Sequence, residues 1–393
     1  MKVRGSSVFV IALAIYMCMN MWYRVLHIGI SPNVLAGILI ILSLMSIYMF
    51  ECSKTDFLII MYLIVVAGYT MLVCTDSAVN REHIINFSVA CLILNKLTDP
   101  AFRIKLCNLV TEKAHLLKRM CFIAVLGIVV SYFDSSSFSY GFTGFSQGAH
   151  SFLSGLMIIF TLYMCVTINK PLSISNLIIP AIVVVAVGMG AARSYLISIV
   201  VLVIVYYFLK VERTQAKVLI FICALFSTRF IFHSSIFERF TIATNQAALS
   251  NQGQLDALTS GRTMFWALDI QAFFSKNIFE QLFGSGFDYL YTYNLEHYGL
   301  RIWAHNDFIH LINSVGIVGL IVYCVILYRL IESIRNTCKN NYGRIKCATG
   351  LLFVFVVGLA LINGFYTYQQ YIYSTVFFVL LITYDREIRN EDT

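Results

Sequence analysis

Three short stretches of this sequence carry residues able to hold phosphate, move a proton or stack on a sugar. Ser260-Gly261-Arg262 comes just before Trp266, and Arg193 follows Gly188, Gly190 and two alanines. An arginine fork matches the oxygens of a phosphate or pyrophosphate, and the free N–H groups of a first helical turn would hold the same anion. The plainer alternative is that each arginine pairs with a carboxylate or reaches a lipid phosphate. The third stretch is Trp303-Ala304-His305-Asn306-Asp307. Histidine titrates near neutrality, so His305 suits a general base. Asn306 and Asp307 could orient it, or cap the helix that follows. Tyr289, Tyr291, Tyr293, Tyr298 and Trp303 crowd the approach to this stretch. Their rings could bind sugars or form the aromatic belt of a membrane interface.

The elements that must position these residues are transmembrane helices. Of 393 residues, 59% are apolar and only 12% charged, against about 25% charged in a soluble domain. The apolar residues come in runs long enough to cross a hydrocarbon core of about 30 Å, and a lipid-exposed backbone that must satisfy its own hydrogen bonds makes these runs helical. The expected class is therefore all-α: a single polytopic membrane domain over residues 1–393 with about 12 spans. The first six fall at Ser7–Met21, Asn33–Phe50, Phe57–Cys74, His83–Leu97, Met120–Phe133 and Ser151–Thr167. The others fall at Ser175–Met189, Ser194–Leu209, Ala216–Phe232, Asn306–Arg329, Cys347–Ile362 and Gln370–Tyr384. The first run follows Lys2 and Arg4 but has no small-residue cleavage site after it, so it reads as a retained span and not a signal peptide.

Charge sets the orientation. With these spans, 20 of the 28 Lys and Arg lie on the side of the N-terminus, leaving 8 on the other. The positive-inside rule then makes both termini cytoplasmic. The net charge of +8 reflects this topology, not a nucleic-acid partner. Two outer loops are long. Residues 134–150 are rich in Ser, Gly and aromatics, and residues 233–304 form the only large extramembrane segment. Loops of that length are functional elements or disordered. This one has helix signals. Ser260 can cap a helix whose stripe is Phe265, Leu268, Ala272 and Phe273, lying along the membrane surface, and Leu282 to Phe287 (LFGSGF) breaks it. From His233 to Trp303 four basic residues stand among six acidic ones, so Arg262 is an isolated cation and not part of a basic patch.

Other chemistries find no support in the sequence. The 11 cysteines show no CxxC pair and no metal spacing, no phosphate-binding glycine loop or acidic metal cluster is visible, and no span carries a carboxylate or lysine near its centre as ion-coupled transporters do. No metal or cofactor is expected.

Arg193 opening an outer span, SGR before Trp266, LFGSGF, and AHNDF leading into the Gly-rich VGIVGL (Val315 to Leu320) resemble the O-antigen polymerase (Wzy) and O-antigen ligase superfamily. The resemblance covers Gly188 to Leu330. It departs from a pattern described for some polymerases, since no outer-loop arginine here has a glycine eleven positions on. The resemblance implies a metal-independent glycosyltransferase of the bacterial inner membrane, acting on its periplasmic face. The donor would be an undecaprenyl-pyrophosphate-linked glycan. By the same resemblance Arg193 and Arg262 would neutralise the leaving pyrophosphate and His305 would act as the base. Trp266, Asn306, Asp307, Tyr289 and Trp303 would bind substrate. A chain-length regulator and a flippase are left open as partners. Polymerase is favoured over ligase because the outer face lacks the strong basic charge that docking a phosphorylated lipopolysaccharide core rewards. A lipid-linked glycan flippase is the alternative from another class.

Overall fold

The structure, a computed structural model, is described for residues 5–26, 32–138, 142–146, 149–168, 174–189, 195, 198–199, 201–204, 262–337 and 344–391. Arg193, Ser260 and the expected span at Ala216–Phe232 lie outside the described residues. What is described is helical, with no strand among the described residues. In chain order the helices are α1 Gly5–Met21, α2 Tyr23–Leu26, α3 Pro32–Phe50, α4 Lys54–Val73, α5 Ser77–Leu97, α6 Pro100–Glu112, α7 Ala114–Ser131, α8 Ala149–Thr167 and α9 Ile174–Met189. After the undescribed segment come α10 Arg262–Phe274, α11 Ile278–Phe283, α12 Tyr289–Tyr298, α13 Asp307–Ser314, α14 Gly316–Thr337, α15 Arg344–Ile362 and α16 Gln369–Glu391.

Three of the described helices, α4, α7 and α14, are long and apolar enough to cross a membrane, and several shorter helices, α1 and α8 among them, are apolar too. The long three turn large apolar side chains outward. Leu58 and Val65 on α4, Phe122 on α7 and Ile321 on α14 are all exposed. Contiguous exposed apolar faces of this kind are disfavoured in water and are at home against lipid chains. α1 packs on α3, α7 and α8, while α16 runs beside α8, α6 and α5. α8 and the first half of α16 are buried along nearly their whole length, so they form the centre of the bundle.

Local chemistry sets the helix ends. Ser53 and Asp56 form a reciprocal capping box at the start of α4, and Asp56 also pairs with the buried Lys96 of α5 at 2.7 Å. α5 differs from the other expected spans. Asn80, His83, Asn86, Asn95 and Lys96 are all buried along it, so its polar positions meet protein rather than lipid. The expected tenth span is two helices, not one. α13 ends at Ser314 and α14 starts at Gly316, whose φ of +70° suits glycine. A Cβ at Gly316 would collide with the Leu282 carbonyl, and one at Gly284 with the Ser314 carbonyl, so α11 is wedged against this break backbone to backbone. The surface helix expected after Arg262 is α10, with Ala272 and Phe273 buried and α13 as its neighbour. LFGSGF ends a second short helix, α11, at Gly284 (φ +86°), because Asn277 first caps a new start.

Candidate functional site

The segment from Trp303 to Asp307 enters α13 by a sharp turn. His305 is the only non-glycine residue with positive φ (50°) among the described residues, and such a conformation for a ring-bearing side chain marks a constrained turn. The turn is held on both sides. Trp266 on α10 donates its indole N–H to the Ala304 carbonyl at 2.7 Å. Asn306 accepts the N–H groups of Phe308 (3.0 Å) and Ile309 (3.2 Å), and so caps α13. Of the two roles open to Asn306, this geometry is the cap.

Asp307 is fully buried. Its carboxylate accepts the backbone N–H groups of Phe365 (2.7 Å) and Tyr366 (2.9 Å) and the Tyr323 hydroxyl (3.3 Å). It thereby ties α13 to the connector between α15 and α16. Burial pushes its carboxyl up to about 7 from 3.8, against the opposing pull of those N–H groups. Gly364 (φ +90°) sits inside the same tie, where a Cβ would collide with the Trp303 ring and press on Asp307.

Trp303 is buried at the centre of an aromatic cage. Its ring centroid lies 4.7 Å from His305, 5.3 Å from His310 and 6.4 Å from Tyr368. Arg262, in the first turn of α10, donates to the Ile362 carbonyl at the end of α15, and its second terminal nitrogen lies 3.5 Å from the Asn363 amide oxygen. A cation at a helix C-terminus is electrostatically favoured there. Arg262 thus holds the start of the connector after α15, and His305 packs against Trp303, whose ring neighbours Tyr368 of that connector. Tyr289 is elsewhere, on the opposite face of α12, with the Lys276 ammonium 3.6 Å from its ring centroid.

Several residues of this neighbourhood had no sequence signal. His83 of α5 and His310 of α13 pack with ring centroids 4.8 Å apart and planes tilted by 38°, both buried. His83 Nε2 lies 3.1 Å from the Tyr291 hydroxyl, whereas neither ring nitrogen of His310 has a hydrogen-bond partner among the described residues. Burial drives the His310 imidazole well below its ordinary range, which keeps it neutral. Asp269 and Lys276 are buried beside α13. The Asn313 amide donates to the Asp269 carbonyl (3.0 Å), and Lys276 donates to the Asn313 carbonyl (2.8 Å). Burial moves both side chains toward neutrality, Asp269 up to about 7 and Lys276 down to about 7. His310 was legible only as a second histidine five residues after His305. Nothing linked His83 to it, because the pairing spans most of the chain. Among the described residues no group of three or more His, Cys, Asp or Glu could hold a metal ion.

Compared with protein-family models, curated proteins and solved structures, the chain matches none.

Proposed function

We propose that the chain is a polymerase of undecaprenyl-pyrophosphate-linked oligosaccharide repeat units of the O-antigen or capsular type. In this reading it spans the bacterial inner membrane about 12 times with both termini cytoplasmic, and it works without a metal on the outer face. The observation that carries the reading is that Arg262 and His305 both border the connector between α15 and α16: Arg262 bonds to Ile362 and Asn363 at its start, and His305 packs on Trp303, whose ring neighbours Tyr368 at its end.

The reaction assigns each group a task. An acceptor sugar hydroxyl attacks the anomeric carbon of the donor glycan, the bond from that carbon to the pyrophosphate oxygen breaks, and undecaprenyl pyrophosphate leaves. His305 takes the hydroxyl proton as the new glycosidic bond forms. Arg262, with Arg193 as its expected companion, balances the charge gathering on the leaving pyrophosphate, the kind of electrostatic stabilisation that often dominates catalysis. Trp266 and Asn306 act by holding the turn that presents His305, and Asp307 by fixing the connector behind it.

The test is the surface polysaccharide profile, by gel, of a deletion strain complemented with wild type or Arg262→Ala at matched protein levels. A single repeat unit on the core in the deletion strain, a ladder restored by wild type and none restored by Arg262→Ala are the expected results. A deletion strain that makes polymer of normal length but leaves it unattached to core points to a ligase. One that never exposes a lipid-linked unit at the outer leaflet points to a flippase.

A further inference from the structure

On the far side of α12 from Trp303 lies a cleft of about 290 Å³, open to the surface. It is walled by Tyr69 near the end of α4, Glu280 of α11, and Asp288, Tyr289, Tyr293 and Glu296 at and along α12. Tyr289 and Tyr293 are one helical turn apart and stack at 5.8 Å with 27° between their planes, while Tyr291 between them points away to His83. The Lys276 ammonium pins the Tyr289 ring. Tyr69 is pinned too, its hydroxyl donating to the Gly284 carbonyl at 2.8 Å. The aromatic wall is thus formed before any ligand arrives.

The charged groups lining the cleft are carboxylates, Glu280, Asp288 and Glu296, beside the hydroxyls of Thr75, Ser285 and Thr292. Asp288 is 1% exposed, and one carboxylate oxygen takes the Thr75 N–H, the Thr75 hydroxyl and the Asp76 N–H, each at 2.7 Å. Its other oxygen, Oδ1, is buried with no hydrogen-bond partner among the described residues, as is the Ser285 hydroxyl. An acceptor left unpaired in a buried position costs about 1–3 kcal/mol, so a donor-bearing ligand would relieve it. Among the described residues no Lys, Arg or His lines the cleft, and three carboxylates there would repel a phosphate. Metal chelation has no support, since no suitable cluster of ligands exists among the described residues. Tyr293 is itself stacked between Tyr289 and His297, so the remaining fit is a neutral, hydroxyl-rich ring that lies against the tyrosine edges and donates to carboxylates, and the volume is at the small end of ligand sites, near 300 Å³.

We propose that this cleft binds one neutral sugar ring of the glycan, away from the bond that reacts. The assignment rests on the proposed function for its substrate class and adds a subsite whose chemistry is opposite to that at Arg262. α12 is the partition: one of its faces serves the sugar, the other the His83, Tyr291 and His310 group.

The experiment uses the full-length protein in lipid nanodiscs. The probe is the phosphate-free oligosaccharide repeat unit released from the host's own surface polysaccharide by mild acid, followed by saturation-transfer NMR and titration. Wild type is expected to bind it, and an equal concentration of inorganic pyrophosphate should not compete. Tyr293→Phe should bind within about twofold of wild type, and Tyr293→Ala at least tenfold more weakly. Glu296→Ala, at an exposed position, should weaken binding several-fold and carries the test where Tyr293→Ala is unstable. Absent binding by wild type, or unchanged binding by both alanine variants, overturns the proposal, as does saturation by spermidine in place of the sugar. If saccharide binding through Tyr293 holds while the deletion strain keeps its ladder, the cleft stands and the polymerase reading falls. Ladder dependence without saccharide binding removes the cleft alone.

Discussion

The carboxylate of Asp307 accepts the backbone N–H of Phe365 at 2.7 Å across 58 residues of chain. The bond closes the candidate site from behind. It joins the helix that follows His305 to the connector that carries Gly364 and Tyr368, and it places Trp303 between them.

Removing that carboxylate should loosen the site. Asp307→Ala leaves the N–H groups of Phe365 and Tyr366 without their acceptor. A buried donor left unpaired costs about 1–3 kcal/mol, so a loss on the order of 3 kcal/mol is expected. The pH profile is diagnostic. Because the folded carboxyl is raised to about 7 from 3.8, its contribution is complete below about pH 4 and disappears as pH rises through 7. Melting temperature in detergent, measured from pH 4 to 8, should fall across that window in wild type, and this part of the slope should be missing in Asp307→Asn.

Lys276 should give the opposite slope. Burial lowers its ammonium to about 7 from 10.5, so between those values the unfolded chain holds a proton that the folded chain has released, and stability rises with pH. Lys276→Met is expected to flatten the melting-temperature profile between pH 7 and 10. A profile as steep as that of wild type would mean that the lysine stays charged in the fold.

Gly284→Ala tests the wedge between α11 and the break before α14. The new methyl group meets the Ser314 carbonyl at a backbone φ of +86°. Backbone strain and overpacking together should cost about 2–4 kcal/mol, read as a marked fall in melting temperature and in the amount of folded protein recovered. Gly299→Ala also has positive φ but has nothing within 4 Å of its added Cβ, so it should cost clearly less.

His305→Asn separates chemistry from backbone conformation. Asparagine tolerates positive φ better than most residues, so the turn at 50° should persist and melting should change by no more than a few degrees. A base has been removed, however, and the ladder of the complemented deletion strain should collapse by at least tenfold in polymerised chains. A full ladder from His305→Asn would assign the proton to another group.

Much of the scaffold was legible in the sequence because its causes are local. Runs of apolar residues mark helices suited to lipid whatever packs beside them, and α4, α7 and α14 follow from composition and length alone. The asparagine before Asp307 could be read as a cap, since the bond it makes reaches only two or three residues ahead. The helix starting at Arg262 and its apolar stripe were likewise visible from spacing.

Which distant groups meet depends on how the whole bundle packs. Asp307 could be read as an aid to His305 until the connector at 365–366 took up its carboxylate. The glycines of LFGSGF marked a turn, yet the reason for glycine at 284 is the carbonyl of Ser314. His83 and His310 are separated by more than 200 positions and touch through α5 and α13. The tyrosines before Trp303 looked alike in one dimension, and α12 divides them, Tyr291 inward to the histidines and Tyr289 and Tyr293 outward to the cleft. Helix formation answers to neighbours three or four residues away, whereas burial of a carboxylate or an imidazole answers to whatever the bundle brings against it.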